Sequence, residues 1–389
     1  MEKNSLHHIR GKRYPYLSAF DEDTGLYFRT GILKDGKDTG IDPFRADFPE
    51  LLDVGIMGSC SHGESGLCQK AGIDCYQSGP QIRQNHMSLD DFRRIVEECR
   101  GRTYQFALGG RGDPDQHPDF AEMLAYSRRH GIVPNFTTSG LGMTSGIAEL
   151  CRKYCGAVAV SWYRSRYTDR AIDILLQAGV RTNVHYVLDT RTLKEAVRLL
   201  KEDGFPKGIN AVVFLLYKPV GLGTREYIIT ERTEHLKEFF ALIDRGGYPF
   251  KIGFDSCTVP GLLRYSKATD PASIDTCEGG RWSAYITPDM QMLPCSFDNQ
   301  QMHWAMDLRK HTIEEAWNSQ RFSEFRKIMA DACPECDKRE SCMGGCPICP
   351  EIVLCGQTSR RQIYQYTESG YTEARYIETL DTEQGEKQT

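Results

Sequence analysis

The chain has no long apolar run. No segment approaches the roughly 20 consecutive apolar residues needed to cross a bilayer, so a membrane partner is not expected. Its start, MEKNSLHHIRGKRYPYL, has no apolar core of the kind a secretory signal carries, and a cytoplasmic location is predicted. An excess of one charge is also missing. The 48 Lys and Arg nearly balance the 53 Asp and Glu, leaving a net charge of -5. With no basic field, nucleic acid is not a predicted partner. There is no internal repeat either, which excludes solenoids and propellers. The 389 residues suffice for one large domain and a smaller one.

Cysteine is abundant instead, with 15 in the chain. Disulfides are disfavoured in the cytoplasm, so these thiols are free, catalytic or metal-bound, and their clustering favours metal. Cys333, Cys336, Cys342 and Cys346 follow the spacing C-x2-C-x5-C-x3-C. Thiolates are soft ligands that suit iron–sulfur clusters or zinc, and C-x2-C alone fits either. Cys60, Cys68 and Cys75 form C-x7-C-x6-C directly after the apolar run 52–57. Three thiols can hold three irons of a [4Fe–4S] cluster and leave the fourth open to a substrate or cofactor. His62 could complete the set as a fourth ligand, although a loop histidine is more often solvated. Cys99, Cys151 and Cys155 lie on helical stretches and are read as buried thiols.

Residues 1–50 form a β-rich lead-in, in which the turn Asp23-Thr24-Gly25 before Leu26-Tyr27-Phe28 signals a hairpin. Over 51–254, short apolar runs alternate with amphipathic stretches. Strands are predicted at 52–57, 105–108, 133–137, 157–161, 182–187, 211–216 and 250–254. Helices are predicted at 89–99, 120–129, 171–178, 193–203 and 234–244. Ser88 before Leu89, with Asp91 three residues on, reads as a helix start. This alternation predicts an α/β fold with a parallel sheet closed partly or fully into a barrel. Residues 255–360 are rich in Gly, Pro and Cys, with a hairpin at 284–286 and 292–293 and two helical pieces within 313–329. Too few apolar runs occur there for a core of its own, so bound metal would supply much of the order. The tail, 361–389, is polar and reads as a frayed helix or as disordered.

At these motifs the chain resembles the radical S-adenosylmethionine (AdoMet) superfamily. In that family a three-cysteine loop after the first strand of a partial (β/α)6 TIM-like barrel holds a [4Fe–4S] cluster, and AdoMet chelates the open iron. The loop here, CSHGESGLCQKAGIDC, is longer than the usual C-x3-C-x2-C. Tyr76 follows its last cysteine as a hydrophobic screen. Gly109-Gly110 before Arg111-Gly112-Asp113-Pro114 is similar to the Gly-Gly-Glu-Pro motif that receives the AdoMet amino group, with the acid displaced to Asp113. Ser139, in Thr137-Thr138-Ser139-Gly140, and Ser161 match positions near the ribose. Arg170 matches one near the carboxylate, with Arg164 and Arg166 as competitors. The loop 218–223 resembles one lying near the adenine.

The C-terminal cysteines resemble the extension called SPASM, in which a hairpin ending in Pro-Cys precedes the four-cysteine run. Here Leu293-Pro294-Cys295 closes the hairpin, and Met290 stands at a turn position where the family has glycine. The resemblance implies two auxiliary [4Fe–4S] clusters, one on Cys257, Cys277, Cys295 and Cys346 and one on Cys333, Cys336, Cys342 and either Cys355 or Cys349. It further implies a peptide or protein substrate, an electron donor such as a flavodoxin or ferredoxin, and a thioether or carbon–carbon crosslink in a ribosomally made peptide. Sulfatase maturation is the competing reaction. There, an Asp directly after the hairpin cysteine serves as base, but here the acid is displaced to Asp298. A non-catalytic iron–sulfur or zinc scaffold is the alternative outside enzymes. About 50 residues precede the first barrel strand, too few for a winged-helix leader-binding domain. Leader recognition would then fall to a separate protein or to the lead-in.

Overall fold

Short apolar runs that alternate with one-sided helices can bury both sets of side chains only as a parallel sheet under a layer of helices. The computed structural model describes residues 6–355 and the backbone of two short strands beyond them. First come β1 (Leu6–Arg10), β2 (Leu17–Asp21) and β3 (Leu26–Arg29), an antiparallel sheet in that order. The predicted turn joins β2 to β3, with the Gly25 N–H donating to Asp21 O at 2.7 Å. Ile9, Phe20 and Tyr27 pack this sheet onto Tyr104 and Val133 of the following unit. A small hairpin, β4 (Leu33–Lys34) with β5 (Lys37–Asp38), completes the lead-in.

Seven parallel strands follow: β6 (Leu51–Val54), β7 (Gln105–Leu108), β8 (Val133–Thr138), β9 (Val158–Ser161), β10 (Thr182–Leu188), β11 (Ala211–Leu216) and β12 (Lys251–Phe254). Between β6 and β7 run α1 (Ser61–Glu64), α2 (Leu67–Lys70) and α3 (Leu89–Cys99). Single helices make the other crossovers: α4 (Phe120–Arg129), α5 (Ser145–Tyr154), α6 (Arg166–Gln177), α7 (Leu193–Glu202) and α8 (Leu236–Arg245). Helix α3 starts as its sequence predicts, with Ser88 Oγ accepting the Asp91 N–H at 3.0 Å and so satisfying a donor that the helix cannot. Helix α5 was expected only as a helical stretch around Cys151, without bounds. Only Ala148 and Cys151 are buried on it, too narrow an apolar stripe to set its limits from periodicity.

The sheet stays open, and its order is β12-β11-β10-β9-β8-β7-β6-β13-β14-β15. Strand β13 (Ser283–Ile286) belongs to the cysteine-rich segment, yet it pairs parallel to β6 with Ser283 opposite Leu51. Strands β14 (Gln291–Leu293) and β15 (Met306–Asp307) continue antiparallel from it. The change of composition at 254 is therefore no break in the sheet. Helices α9 (Val259–Tyr265), α10 (Ile313–Trp317), α11 (Gln320–Ala330) and α12 (Arg339–Cys342) complete this half. One large apolar core runs through both halves, from Leu52 and Val54 to Trp282, Trp317 and Cys346.

The tail departs from the helical reading where it is described. Strands β16 (Tyr364–Thr367) and β17 (Gly370–Glu373) pair antiparallel, in keeping with the extended preference of Tyr and Thr. The rest of that tail lies outside the described residues. Among the described residues no helix is long and apolar enough to cross a membrane.

Candidate functional site

The loop leaving β6 at its C-terminal end carries the first three cysteines, where parallel α/β folds place their chemistry. Cys60 caps α1, and its Sγ accepts the Gly63 N–H at 3.2 Å. Cys75 Sγ accepts the Gly79 N–H at 3.4 Å. Gly79 stands between the two sulfurs: a Cβ there would lie 3.5 Å from Cys60 Sγ and 3.6 Å from Cys75 Sγ. Cys68 is buried on α2. Burial pushes the Cys60 thiol up to about 11, against the pull of the Gly63 N–H, and charge on Asp113, Cys75 and Cys68 adds to the rise. Burial and Cys75 likewise raise Cys68. Cys60 and Cys68 thus ionise with difficulty beside their neighbours, a conflict that bound iron removes.

Around this loop sit most of the other predicted residues. The Gly109 N–H donates to Val54 O at 3.1 Å, and Gly110, at φ 87°, packs where a Cβ would meet Tyr285 Oη at 2.6 Å. Asp113 and Ser139 come together: Asp113 accepts the Ser139 N–H and the Ser139 hydroxyl, each at 2.6 Å. Burial raises the Asp113 carboxyl and these two bonds oppose the rise. Ser161 ends β9, with its side chain bonded to Tyr163. The Tyr76 ring lies 4.8 Å from Phe297, and Leu222 N–H donates to Cys75 O at 3.0 Å, which seats the loop after β11 on the cysteine loop. His62 spends Nε2 on Tyr167 Oη at 2.7 Å and stacks on Tyr163 at 5.1 Å.

The arginines fall elsewhere than the sequence suggests. Arg170 and Arg166 are exposed on α6, and Arg164 pairs with Glu195 at 3.3 Å. The buried arginine beside the cysteine loop is Arg111. Its Nε donates to Gln77 O at 3.4 Å, while Nη1 is buried with no hydrogen-bond partner. Its signal was its place between the glycines of Gly110-Arg111-Gly112, next to the displaced acid.

The second cysteine group divides in space. Cys257, Cys277, Cys295 and Cys346 all line one cavity of about 700 Å³ between the open mouth of the sheet and the C-terminal segment. Cys349 belongs beside Cys346, its N–H donating to Cys346 Sγ at 3.3 Å. Cys333, Cys336 and Cys342 occupy the loop around α12, where Gly344 folds back to within 3.6 Å of Cys333 Sγ, measured from the position of a Cβ. Cys355 is half-buried, and its carbonyl accepts from Arg264. Among the described residues no three Cys, His, Asp or Glu side chains form a single-ion site. Asp298 is committed to its own loop, accepting from the N–H of His303 and of Trp304 at 3.3 and 3.2 Å.

Residues 277–349 match the family model of SPASM, an iron–sulfur cluster-binding domain. The mycofactocin maturase MftC of Mycobacterium tuberculosis is 25% identical over 304 residues, 72% of this chain and 75% of that protein. The MftC of Mycobacterium ulcerans is 22% identical over 320 residues, 72% of this chain and 80% of its own. Streptococcus suis SuiB bound to S-adenosylmethionine superposes with a TM-score of 0.64 at 12% identity, over 89% of this chain and 95% of SuiB. The enzyme anSMEcpe with bound AdoMet superposes at 0.56 and 18% identity, over 78% of this chain and 90% of its own. The chain carries a SPASM domain and is an enzyme similar to these maturases. Two features suit the groups that the resemblance implies. A trio of neighbouring thiols meets backbone N–H donors, and Arg111 holds an orphaned buried Nη1 beside it.

Proposed function

We propose that this enzyme modifies a ribosomally made peptide, forming a thioether or carbon–carbon crosslink. Cys60, Cys68 and Cys75 would hold a [4Fe–4S] cluster with one iron left for AdoMet. Bound together, these groups supply one-electron chemistry that ends in a 5′-deoxyadenosyl radical able to take a hydrogen atom from unactivated carbon. The protein's own part is holding and shielding. Arg111 Nη1 would pair with the AdoMet carboxylate in a charge-assisted bond, with the Gly109–Gly110 backbone toward the amino group and Ser139 and Ser161 toward the ribose. Tyr76 and Phe297, whose rings lie 4.8 Å apart, would shield the site on the side of the second cysteine group. Cys257, Cys277, Cys295 and Cys346 would hold one auxiliary cluster. Cys333, Cys336, Cys342 and either Cys355 or Cys349 would hold the other.

One observation carries the reading: a three-thiol loop at the mouth of the sheet faces a neighbouring four-thiol cavity across one aromatic pair. The tie-up of Asp298 favours crosslinking over sulfatase maturation, which needs a free base near Cys295. A flavodoxin or ferredoxin would deliver electrons in the cytoplasm, and a separate protein or the lead-in sheet would present the leader peptide. Anaerobic reconstitution with iron and sulfide, then incubation with AdoMet and dithionite, should release 5′-deoxyadenosine. Absence of that product from iron-replete enzyme ends the proposal.

A further inference from the structure

Lys218 has no part in the chemistry described so far, yet it is one of the most deeply buried cations in the molecule. Its side chain is 3% exposed and lines the same cavity as Cys257, Cys277, Cys295 and Cys346. Nζ donates to Asp255 Oδ2 at 2.5 Å and to Leu216 O at 2.8 Å, and it lies 4.5 Å from the centre of the Phe297 ring. Paired with Asp255, Lys218 is the cation among the residues that line that cavity.

A lone fastening role would not need this placement. Asp255 already ties the ends of β11 and β12 without Lys218, accepting the Leu216 N–H at 3.1 Å and donating its own N–H to Phe214 O at 3.1 Å. What Lys218 adds is a buried positive charge beside the four cysteines, where electrostatic interactions are stronger than in water. Iron–sulfur potentials respond to local charge, hydrogen bonding and exposure. Reduction adds one negative charge to a cluster, so a nearby cation stabilises the reduced form and raises the potential.

We propose that Lys218 sets the reduction potential of the auxiliary cluster held by Cys257, Cys277, Cys295 and Cys346, making that cluster a better electron acceptor. This rests on the assignment of those four cysteines to a cluster. Lys218 is a positioning residue in this role, acting through the sulfurs and not on substrate.

The test uses full-length enzyme in which Cys60, Cys68 and Cys75 are replaced by Ala, reconstituted without oxygen so that only auxiliary clusters give EPR signals. Redox titration of the Lys218→Met variant should move one of the two auxiliary signals to lower potential. The shift should be at least a tenfold change in the reduced-to-oxidised ratio at fixed poise, about 59 mV for one electron. The other signal should stay in place as an internal reference. Lys218→Arg should titrate like the parent. Asp255→Asn, which leaves Lys218 uncompensated, should move the same signal the opposite way, a result that loss of a mere fastener cannot give. Should Lys218→Met fail to assemble, Asp255→Asn decides alone: an upward shift supports the proposal, and no shift or a downward one overturns it. Shifts of equal sign in Met and Asn variants overturn it as well. If the parent triple variant shows no auxiliary cluster by iron content and EPR, the cluster assignment itself falls and takes this proposal with it.

Discussion

The two cysteine regions use the same ligand chemistry in different surroundings. The first trio hangs on a loop, braced by backbone N–H groups from Gly63 and Gly79 and ringed by polar side chains: Arg111, Asp113, Ser139 and His62. The second quartet is drawn from four separate places in the chain into one cavity, walled by Phe297, Phe325 and Ile348 with Lys218 as its buried cation. On the proposed ligand assignment, the first site is one ligand short and keeps a polar group without a partner at hand, Arg111 Nη1. The second would have its full count of ligands, with an apolar wall and a buried cation beside them. Both regions share the large core, and the second adds a small cluster of its own, Cys277, Trp304, Phe325 and Met329.

The comparison can be broken most severely by removing each set of thiols. Replacing Cys60, Cys68 and Cys75 with Ala should abolish 5′-deoxyadenosine formation and lower iron content by about a third, the share of one cubane in three, with the thermal transition little changed. Replacing Cys257, Cys277, Cys295 and Cys346 should instead expose the C-terminal half to limited proteolysis, because bound metal contributes folding free energy directly. Equal protease resistance in the two variants would mean that the second region does not depend on metal. Arg111→Gln should raise the KM for AdoMet by about 10- to 100-fold, the worth of one charge-assisted hydrogen bond, while Arg170→Gln should leave it unchanged.

The smallest effect is expected at Asp298. A catalytic base there would cost about 100-fold or more on removal. Asp298→Asn should instead change peptide modification by less than about threefold. Burial pushes that carboxyl up to about 6, against the pull of the Trp304 and His303 N–H groups. The folded state therefore holds this proton more tightly than the unfolded chain. Above about 6 the buried carboxylate costs stability, and that cost is relieved as pH falls from about 6 toward 3.8, so the Asn variant should lose that part of the slope in a melting series across pH.

Much of this was legible in the chain. Helices α3 and α4 begin and end at the residues that their apolar spacing predicts, and the hairpin β13–β14 falls within one residue of its expected limits. Helix α6 starts five residues before its predicted start, at Arg166, because Ser165 and Thr168 form a capping box that lengthens it beyond its apolar stripe. Arg170 was preferred over Arg164 and Arg166, Arg111 was not considered, and the fold leaves Arg170 exposed on α6.

Local spacing and residue type fix which side chains can bind soft metal and which runs become strands or helices, because both depend on neighbours within a few positions. The chain alone therefore determined an α/β sheet, a three-thiol loop at its first strand and a cysteine-rich module. Only tertiary structure decided that β13 adds to β6, that Cys257 and Cys346 share a cavity, and that Lys218 and Arg111 turn their charges inward. Those facts arise from strand pairing and burial between segments far apart in sequence, where a residue's surroundings are set by the packed whole and not by its neighbours in the chain.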